Sequence, residues 1–68
     1  MDAFTAKRIV KFVEDFRRDR AQLPTIKDFV SAGFDESTVD LAERKKVIEK
    51  FYVNLTNGSI VKGYKVKK

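Results

Sequence analysis

Apolar positions recur at helical spacing in the first third of the chain. Steps of three, one and three separate Ile9, Phe12, Val13 and Phe16, which places them on one face of a helix with 3.6 residues per turn, with Val10 at its edge. Charged residues occupy the opposite face, where they are solvated and form helix-supporting pairs. Thr5 suits the N-cap position. The pattern predicts a first helix over residues 5–20 with one face in the core.

Two shorter helical segments follow, separated by a turn. Pro24 and Thr25 supply a helix start and Gly33 supplies a stop, which predicts a second helix over residues 25–32. Apolar positions then continue at helical spacing and predict a third helix over residues 36–48. Two helices joined by a short turn are typical of a helix-turn-helix.

After the third helix, apolar and polar positions alternate, which is typical of a half-buried strand. An Asn-Gly dipeptide begins at Asn57, and this is the strongest short-range signal of a hairpin. The pattern predicts strands over residues 51–56 and 59–66. A two-residue turn between them places Phe51 opposite Tyr64.

The composition limits the number of domains and the kinds of chemistry. The 68 residues leave room for a single domain, residues 1–68, with one small core. The chain has no Cys and no His, which removes thiolate and imidazole metal ligands, Ser-His and Cys-His pairs and an imidazole general base. We therefore expect a protein that is not an enzyme and that carries no metal or other cofactor.

Hydropathy argues against a membrane-spanning segment. No apolar run approaches the roughly 18–20 residues that cross a bilayer. The N-terminus lacks the charged segment followed by a hydrophobic stretch that is typical of a signal peptide. We therefore expect a soluble, cytoplasmic protein with no membrane partner.

The net charge of +5 is unevenly distributed along the chain. Residues 1–23 carry six basic and four acidic side chains, residues 24–43 carry one and five, and residues 44–68 carry eight and one. The three segments therefore have net charges of +2, −4 and +7. A basic C-terminal third favours a polyanionic partner such as nucleic acid.

The stretch from Pro24 to Val39 resembles a known family at the level of individual residues. Its Pro-Thr-Ile-Lys-Asp-Phe, Gly-Phe and Ser-Thr-Val segments are similar to the Pro-Ser-Val-Arg-Glu-Ile, Gly-Leu and Ser-Ser-Thr-Val segments of winged-helix bacterial repressors of the SOS-repressor kind. The spacing from Phe29 to Gly33 is shorter than in that family, and the third helix lacks basic or amide side chains near its start. The resemblance implies an α+β fold, a three-helix winged helix-turn-helix with a C-terminal two-stranded antiparallel β-hairpin.

The family also implies how such a fold meets DNA. The third helix enters the major groove, and the hairpin lies as a wing against the DNA backbone or the minor groove. This would bring Ser37, Thr38 and Leu41 to base edges and Asn57 and Ser59 to a groove, although closure of the turn already explains Asn57. The basic side chains then available for phosphate contact are Lys27, Arg44, Lys45, Lys46, Lys62, Lys65, Lys67 and Lys68.

Two functions agree with these patterns. The first is a small DNA-binding regulator of transcription or replication that contacts double-stranded DNA through the basic C-terminal half of the third helix and the wing. Its phosphate contacts predict salt-sensitive binding, and the small contact area of one module favours a homodimer. The alternative is a protein-interaction module, of the kind encoded by phages or mobile elements, that docks a host factor through the acidic residues Glu36, Asp40 and Glu43.

Overall fold

Three helices are followed by a two-stranded antiparallel hairpin, so the fold is α+β. The computed structural model describes residues 1–54 and 56–67, apart from the side chains of Val53 and Val61. Leu55 of the first predicted strand and Lys68 of the predicted phosphate contacts lie outside the described residues. The elements are α1 (Ala3–Arg20), α2 (Ile26–Ser31), α3 (Glu36–Arg44), β1 (Ile48–Asn54) and β2 (Ile60–Val66).

Helix α1 begins two residues before the predicted start. Its N-cap is Asp2, and the prediction of Thr5 at this position is wrong. The Asp2 carboxylate accepts a hydrogen bond from the Thr5 backbone N–H, with 2.6 Å between Oδ1 and N, and this bond holds the pKa of Asp2 below its ordinary value. Both residue types cap helices, and capping by Asp2 lets the helix include Ala3 and Phe4, which the prediction left out.

Helix α2 is defined by a reciprocal pair of bonds at its start. The Asp28 carboxylate accepts from the Thr25 backbone N–H at 2.8 Å, and the Thr25 hydroxyl accepts from the Asp28 N–H at 3.4 Å. This capping box satisfies two backbone donors that a helix start leaves free. The predicted helix over residues 25–32 matches the observed one to within one residue at each end.

Helix α3 ends at Arg44, so the prediction that it continues to residue 48 is wrong. Lys46 adopts a left-handed conformation with a φ of 63°. The Val47 N–H then bonds back to the Ala42 carbonyl at 2.9 Å, which is the hydrogen bond that closes a Schellman motif. A left-handed residue at this place is usually glycine, and the lysine gave no such signal in the sequence.

Replacing Lys46 by glycine is expected to stabilise the protein by about 0.5–1 kcal/mol, because glycine relieves the left-handed strain that a side chain imposes. The matched control is Lys45→Gly, since Lys45 has an ordinary φ of −84° and glycine there adds only unfolded-state entropy. Chemical denaturation should therefore move the two unfolding midpoints in opposite directions. Destabilisation by both variants would contradict the left-handed turn.

The hairpin register differs by one residue from the prediction. Phe51 lies opposite Gly63 and Asn54 lies opposite Ile60, so the predicted pairing of Phe51 with Tyr64 is wrong. A shift of one residue moves side chains to the other face of a strand. The turn is correspondingly longer than the two residues that Asn-Gly predicts.

The core fixes this register. Tyr64 and Ile48 are both buried, and alternation along the strands places them on the same face of the hairpin. In the predicted register, Tyr64 would share its face with Phe51, which remains 46% exposed. At the tip, the Asn57 side chain accepts from the Ser59 N–H at 2.9 Å and closes the loop locally.

All five elements contribute to one core. Phe29 of α2 is its centre, with ring centroids 4.9 Å from Phe12 and 5.6 Å from Tyr64. The segment after α1 also joins the free edge of β2, because the Tyr64 N–H donates to the Pro24 carbonyl at 2.9 Å. The buried apolar residues are Ile9, Val13, Phe29, Phe34, Val39, Ala42, Ile48 and Tyr64.

Candidate nucleic-acid interface

The solvent-facing side of α3 is small and of mixed charge. Val39 and Ala42 are buried, and the 3.6-residue period places the exposed face on the opposite side of the helix. Thr38 lies at the edge of this face and is half-buried. The exposed residues of this face are Ser37, Asp40 and Arg44, and Leu41 on the same face is half-buried.

The three acidic residues of α3 do not form one free surface. Asp40 is exposed, and Glu36 lines a shallow groove between the first turn of α3 and α2. Glu43 is half-buried, and its carboxylate lies 3.5 Å from the Lys50 ammonium, measured from Oε2 to Nζ. Because Glu43 is already paired with a cation of β1, the acidic character of α3 is concentrated in its first turns.

Lys50 belongs to β1, which begins at Ile48, three residues before the predicted start of the first strand. The nearby Glu43 carboxylate raises the pKa of Lys50 above its ordinary value, so Lys50 is cationic at neutral pH. Side chains alternate between the two faces of the hairpin, and the pairing places Lys50, Tyr52, Lys62 and Tyr64 on the same face. The Lys62 ammonium lies 5.9 Å from the Tyr64 ring centroid.

A group of five cations therefore lies at the connection between α3 and β1 and on the adjacent face of the hairpin. Three of these cations follow one another in the sequence, at the end of α3 and in the turn after it. The other two lie on the same face of the hairpin, where Lys50 forms the ion pair with Glu43 of α3. Within residues 1–54 and 56–67, Lys50 is the member that forms an ion pair. We call this group the basic band: Arg44, Lys45, Lys46, Lys50 and Lys62.

The remaining lysines of the hairpin lie on its other face. Lys65 and Lys67 approach the same Glu49 carboxylate, at 3.1 and 3.8 Å. The Lys65 ammonium also lies 4.8 Å from the Phe51 ring centroid, and Lys65 lines a groove against the C-terminal half of α1. The structure therefore separates Lys65 and Lys67 from the basic band, although the sequence had grouped all of them.

The other predicted contact residues lie at two further places. Lys27 is exposed in the first turn of α2 and lines the same groove as Glu36. Asn57 and Ser59 are exposed at the tip of the hairpin, where the Asn57 carboxamide oxygen is engaged by the Ser59 N–H. The tip can approach a ligand, but its only described side-chain bond closes the turn.

Two exposed apolar residues of the hairpin were missed as site candidates. Tyr52 and Ile60 are each 66% exposed, and both lie on the face that carries Lys50 and Lys62. The sequence signal was present, because Tyr52 alternates with Phe51 along the strand. This signal alone does not show which lysines lie on the same face as each aromatic ring, because that depends on the register of the hairpin.

Comparisons of the chain with protein-family models, curated proteins and solved structures give no match. Among the helices in the described part of the chain, none has both the length and the apolar character needed to cross a membrane. Functional inference therefore depends on the hairpin, on α3 and on the charges that they carry.

Proposed function

We propose that the protein is a small winged-helix protein that binds double-stranded DNA without catalysis and regulates transcription or replication. The order of the elements supports this proposal, because α2 and α3 are joined by a short turn and the hairpin follows directly. In this interpretation α3 is the helix that approaches the major groove, and the hairpin is the wing.

The observation that carries the proposal is the 3.5 Å ion pair between Lys50 and Glu43. It brings Lys50 of the hairpin to Glu43, the residue before Arg44, so a cation of the hairpin lies at the same end of α3 as the cations of the helix end. The basic band then presents five cations, with the Glu43 carboxylate paired to Lys50 and the Asp40 carboxylate one turn before Arg44 on α3. Such a concentration of positive charge suits the phosphate backbone, whose charge supplies most of the non-specific affinity of DNA-binding proteins.

The side chains that face outward from α3 predict weak discrimination between sequences. Ser37 can hydrogen-bond to a base edge, and Leu41 can contact a thymine methyl group, but neither distinguishes bases as an amide or a guanidinium does. Asp40 on the same face opposes the approach of phosphates. We therefore propose binding that is positioned by phosphates and tolerant of sequence, with a homodimer enlarging the contact area of the single module.

The interaction with a host factor through Glu36, Asp40 and Glu43 has less support. A docking surface for a basic partner needs free carboxylates, and the Glu43 carboxylate is already bound by Lys50. Glu36 faces a groove that also contains Lys27, which further reduces the local negative charge. Asp40 is left as the acidic group exposed on the outward face of α3.

A salt series with a generic duplex tests the proposal. Fluorescence anisotropy should show binding at low ionic strength and a linear decrease of log K with log salt concentration, with a slope of about −0.9 for each phosphate that the protein neutralises. An absence of binding at low salt, or an affinity that does not change with salt, would contradict the proposed function.

A further inference from the structure

One face of the hairpin exposes an aromatic ring between cations. Tyr52 is 66% exposed, lies directly opposite Lys62 and is two positions from Lys50 on the same face. Ile60 lies diagonally across from Tyr52 and is as exposed as Tyr52. We call these four residues the ribbon face. Exposed apolar side chains occur elsewhere in the chain, such as Phe4 at 72%, but Tyr52 and Ile60 lie together with two lysines on one face of the hairpin.

The opposite face of the hairpin provides a comparison. Its aromatic residue, Phe51, is 46% exposed and has the Lys65 ammonium 4.8 Å from its ring centroid. Lys65 in turn pairs with Glu49. The cation and the carboxylate of that face already satisfy each other, and the ring is partly covered. On the ribbon face the ring is more open, and of its two flanking cations Lys50 is paired with Glu43, while Lys62 forms no ion pair among the described residues.

An exposed ring between two cations fits a nucleotide of a single strand. Bases stack on aromatic side chains regardless of their identity, while neighbouring cations bind the phosphates. In a duplex each base is stacked between its neighbours. The ring of Tyr52 can therefore stack on a base only where the DNA is single-stranded. We propose that the ribbon face binds single-stranded DNA, with a base stacked on Tyr52 and the adjacent phosphates bound by Lys50 and Lys62.

Charge argues against a second copy of the chain as the occupant. Two ribbon faces packed against each other would bring two copies of Lys50 and two of Lys62 together without a free carboxylate, because Glu43 is bound to Lys50 within each copy. Like charges in such contact disfavour association. The inference rests on the proposed function in taking DNA as the ligand, but it concerns a different form of DNA and a different side chain.

Tyrosine fluorescence offers a direct test, because the chain has two tyrosines and no tryptophan. Tyr64→Phe leaves Tyr52 as the only tyrosine and keeps the aromatic ring that packs on Phe29. Titration of this variant with an oligothymidylate of about 10 nucleotides, within the site sizes of single-strand-binding folds, should quench the fluorescence. Because Tyr52→Ala removes that reporter, its affinity is measured by the anisotropy of a fluorescein-labelled oligomer and should be roughly 5- to 150-fold lower, the equivalent of one stacked base.

Two further variants separate stacking from general effects. Tyr52→Phe keeps the ring and should retain the affinity. Phe51→Ala removes the aromatic ring of the opposite face from the same strand and should leave binding of the oligomer unchanged. Because Tyr52 and Phe51 are both exposed, we expect these variants to fold, which circular dichroism will verify.

The proposal is wrong if Tyr52→Ala binds the oligomer as tightly as the unaltered chain, or if Phe51→Ala weakens binding equally. It is also wrong if sedimentation shows a dimer that Tyr52→Ala dissociates without an effect on the oligomer, because the ribbon face then binds a second copy. Binding of the oligomer that depends on Tyr52, with no binding of duplex DNA, would refute the proposed function and leave this inference standing. Binding of duplex DNA, together with binding of the oligomer that does not depend on Tyr52, would refute this inference and leave the proposed function standing.

Discussion

Neutralising Lys45 and Lys62 together is expected to weaken binding to duplex DNA much more than neutralising Lys65 and Lys67. Each pair of Lys→Gln changes alters the net charge equally, so the comparison isolates position. Lys45 and Lys62 belong to the basic band, and neither forms an ion pair within the described residues. Lys65 and Lys67 both approach the Glu49 carboxylate, which already offsets part of their charge.

The expected size follows from the release of counterions. Two lost phosphate contacts flatten the slope of log K against log salt by about 1.8 and lower the affinity roughly 60-fold at about 0.1 M salt. The measurement is fluorescence anisotropy over a salt series with the same duplex for every variant. If the two double variants lose affinity equally, net charge rather than the basic band governs binding. A larger loss from Lys65 and Lys67 would assign DNA contact to the other face of the hairpin.

Gly63→Ala is expected to destabilise the fold by about 1–3 kcal/mol, the usual cost of overpacking. A Cβ atom at Gly63 would lie 2.7 Å from Leu23 Cβ, which is closer than two nonbonded carbon atoms approach. The two segments cannot separate freely, because the Tyr64 N–H is bonded to the Pro24 carbonyl beside them. For a domain of this size, each kcal/mol lowers the melting temperature by about 4–8 °C.

Two controls make the result specific. Gly58→Ala places its Cβ in open space and is strained only by a φ of 87°, so it should melt at a higher temperature than Gly63→Ala. Adding Leu23→Ala to Gly63→Ala should not restore stability, because the clash involves Leu23 Cβ itself and alanine retains that atom. Equal melting of the two single variants, or rescue by Leu23→Ala, would show that the two segments are not packed this closely.

The start of α2 was predictable from the sequence, whereas the start of α1 was not, because Asp2 rather than Thr5 is its N-cap. The start of α2 follows from Thr25 and Asp28, which lie three residues apart and bond to each other. The end of α3 was not predictable in this way, since Lys46 occupies a left-handed position without the glycine that usually indicates one. The apolar residues Val47 and Ile48 continued the helical pattern, although Ile48 already belongs to a strand.

The candidate site was predictable in composition but not in arrangement. The basic residues were identifiable because their charge is independent of conformation. Their division between two faces depends on the hairpin register, which the burial of Ile48 and Tyr64 decides through contacts with distant helices. A register shifted by one residue had joined Lys62 with Phe51, whereas the structure joins Lys62 with Tyr52.

The hydrogen bond from Tyr64 to the Pro24 carbonyl has a consequence for folding kinetics. Its partners are 40 positions apart in the sequence, and the ring of Tyr64 packs on Phe29 beside it. Closing so long a loop costs entropy before the contact returns any enthalpy. We therefore expect the speed of folding to be limited by this closure rather than by helix formation, and the hairpin to unfold together with the helices instead of opening alone.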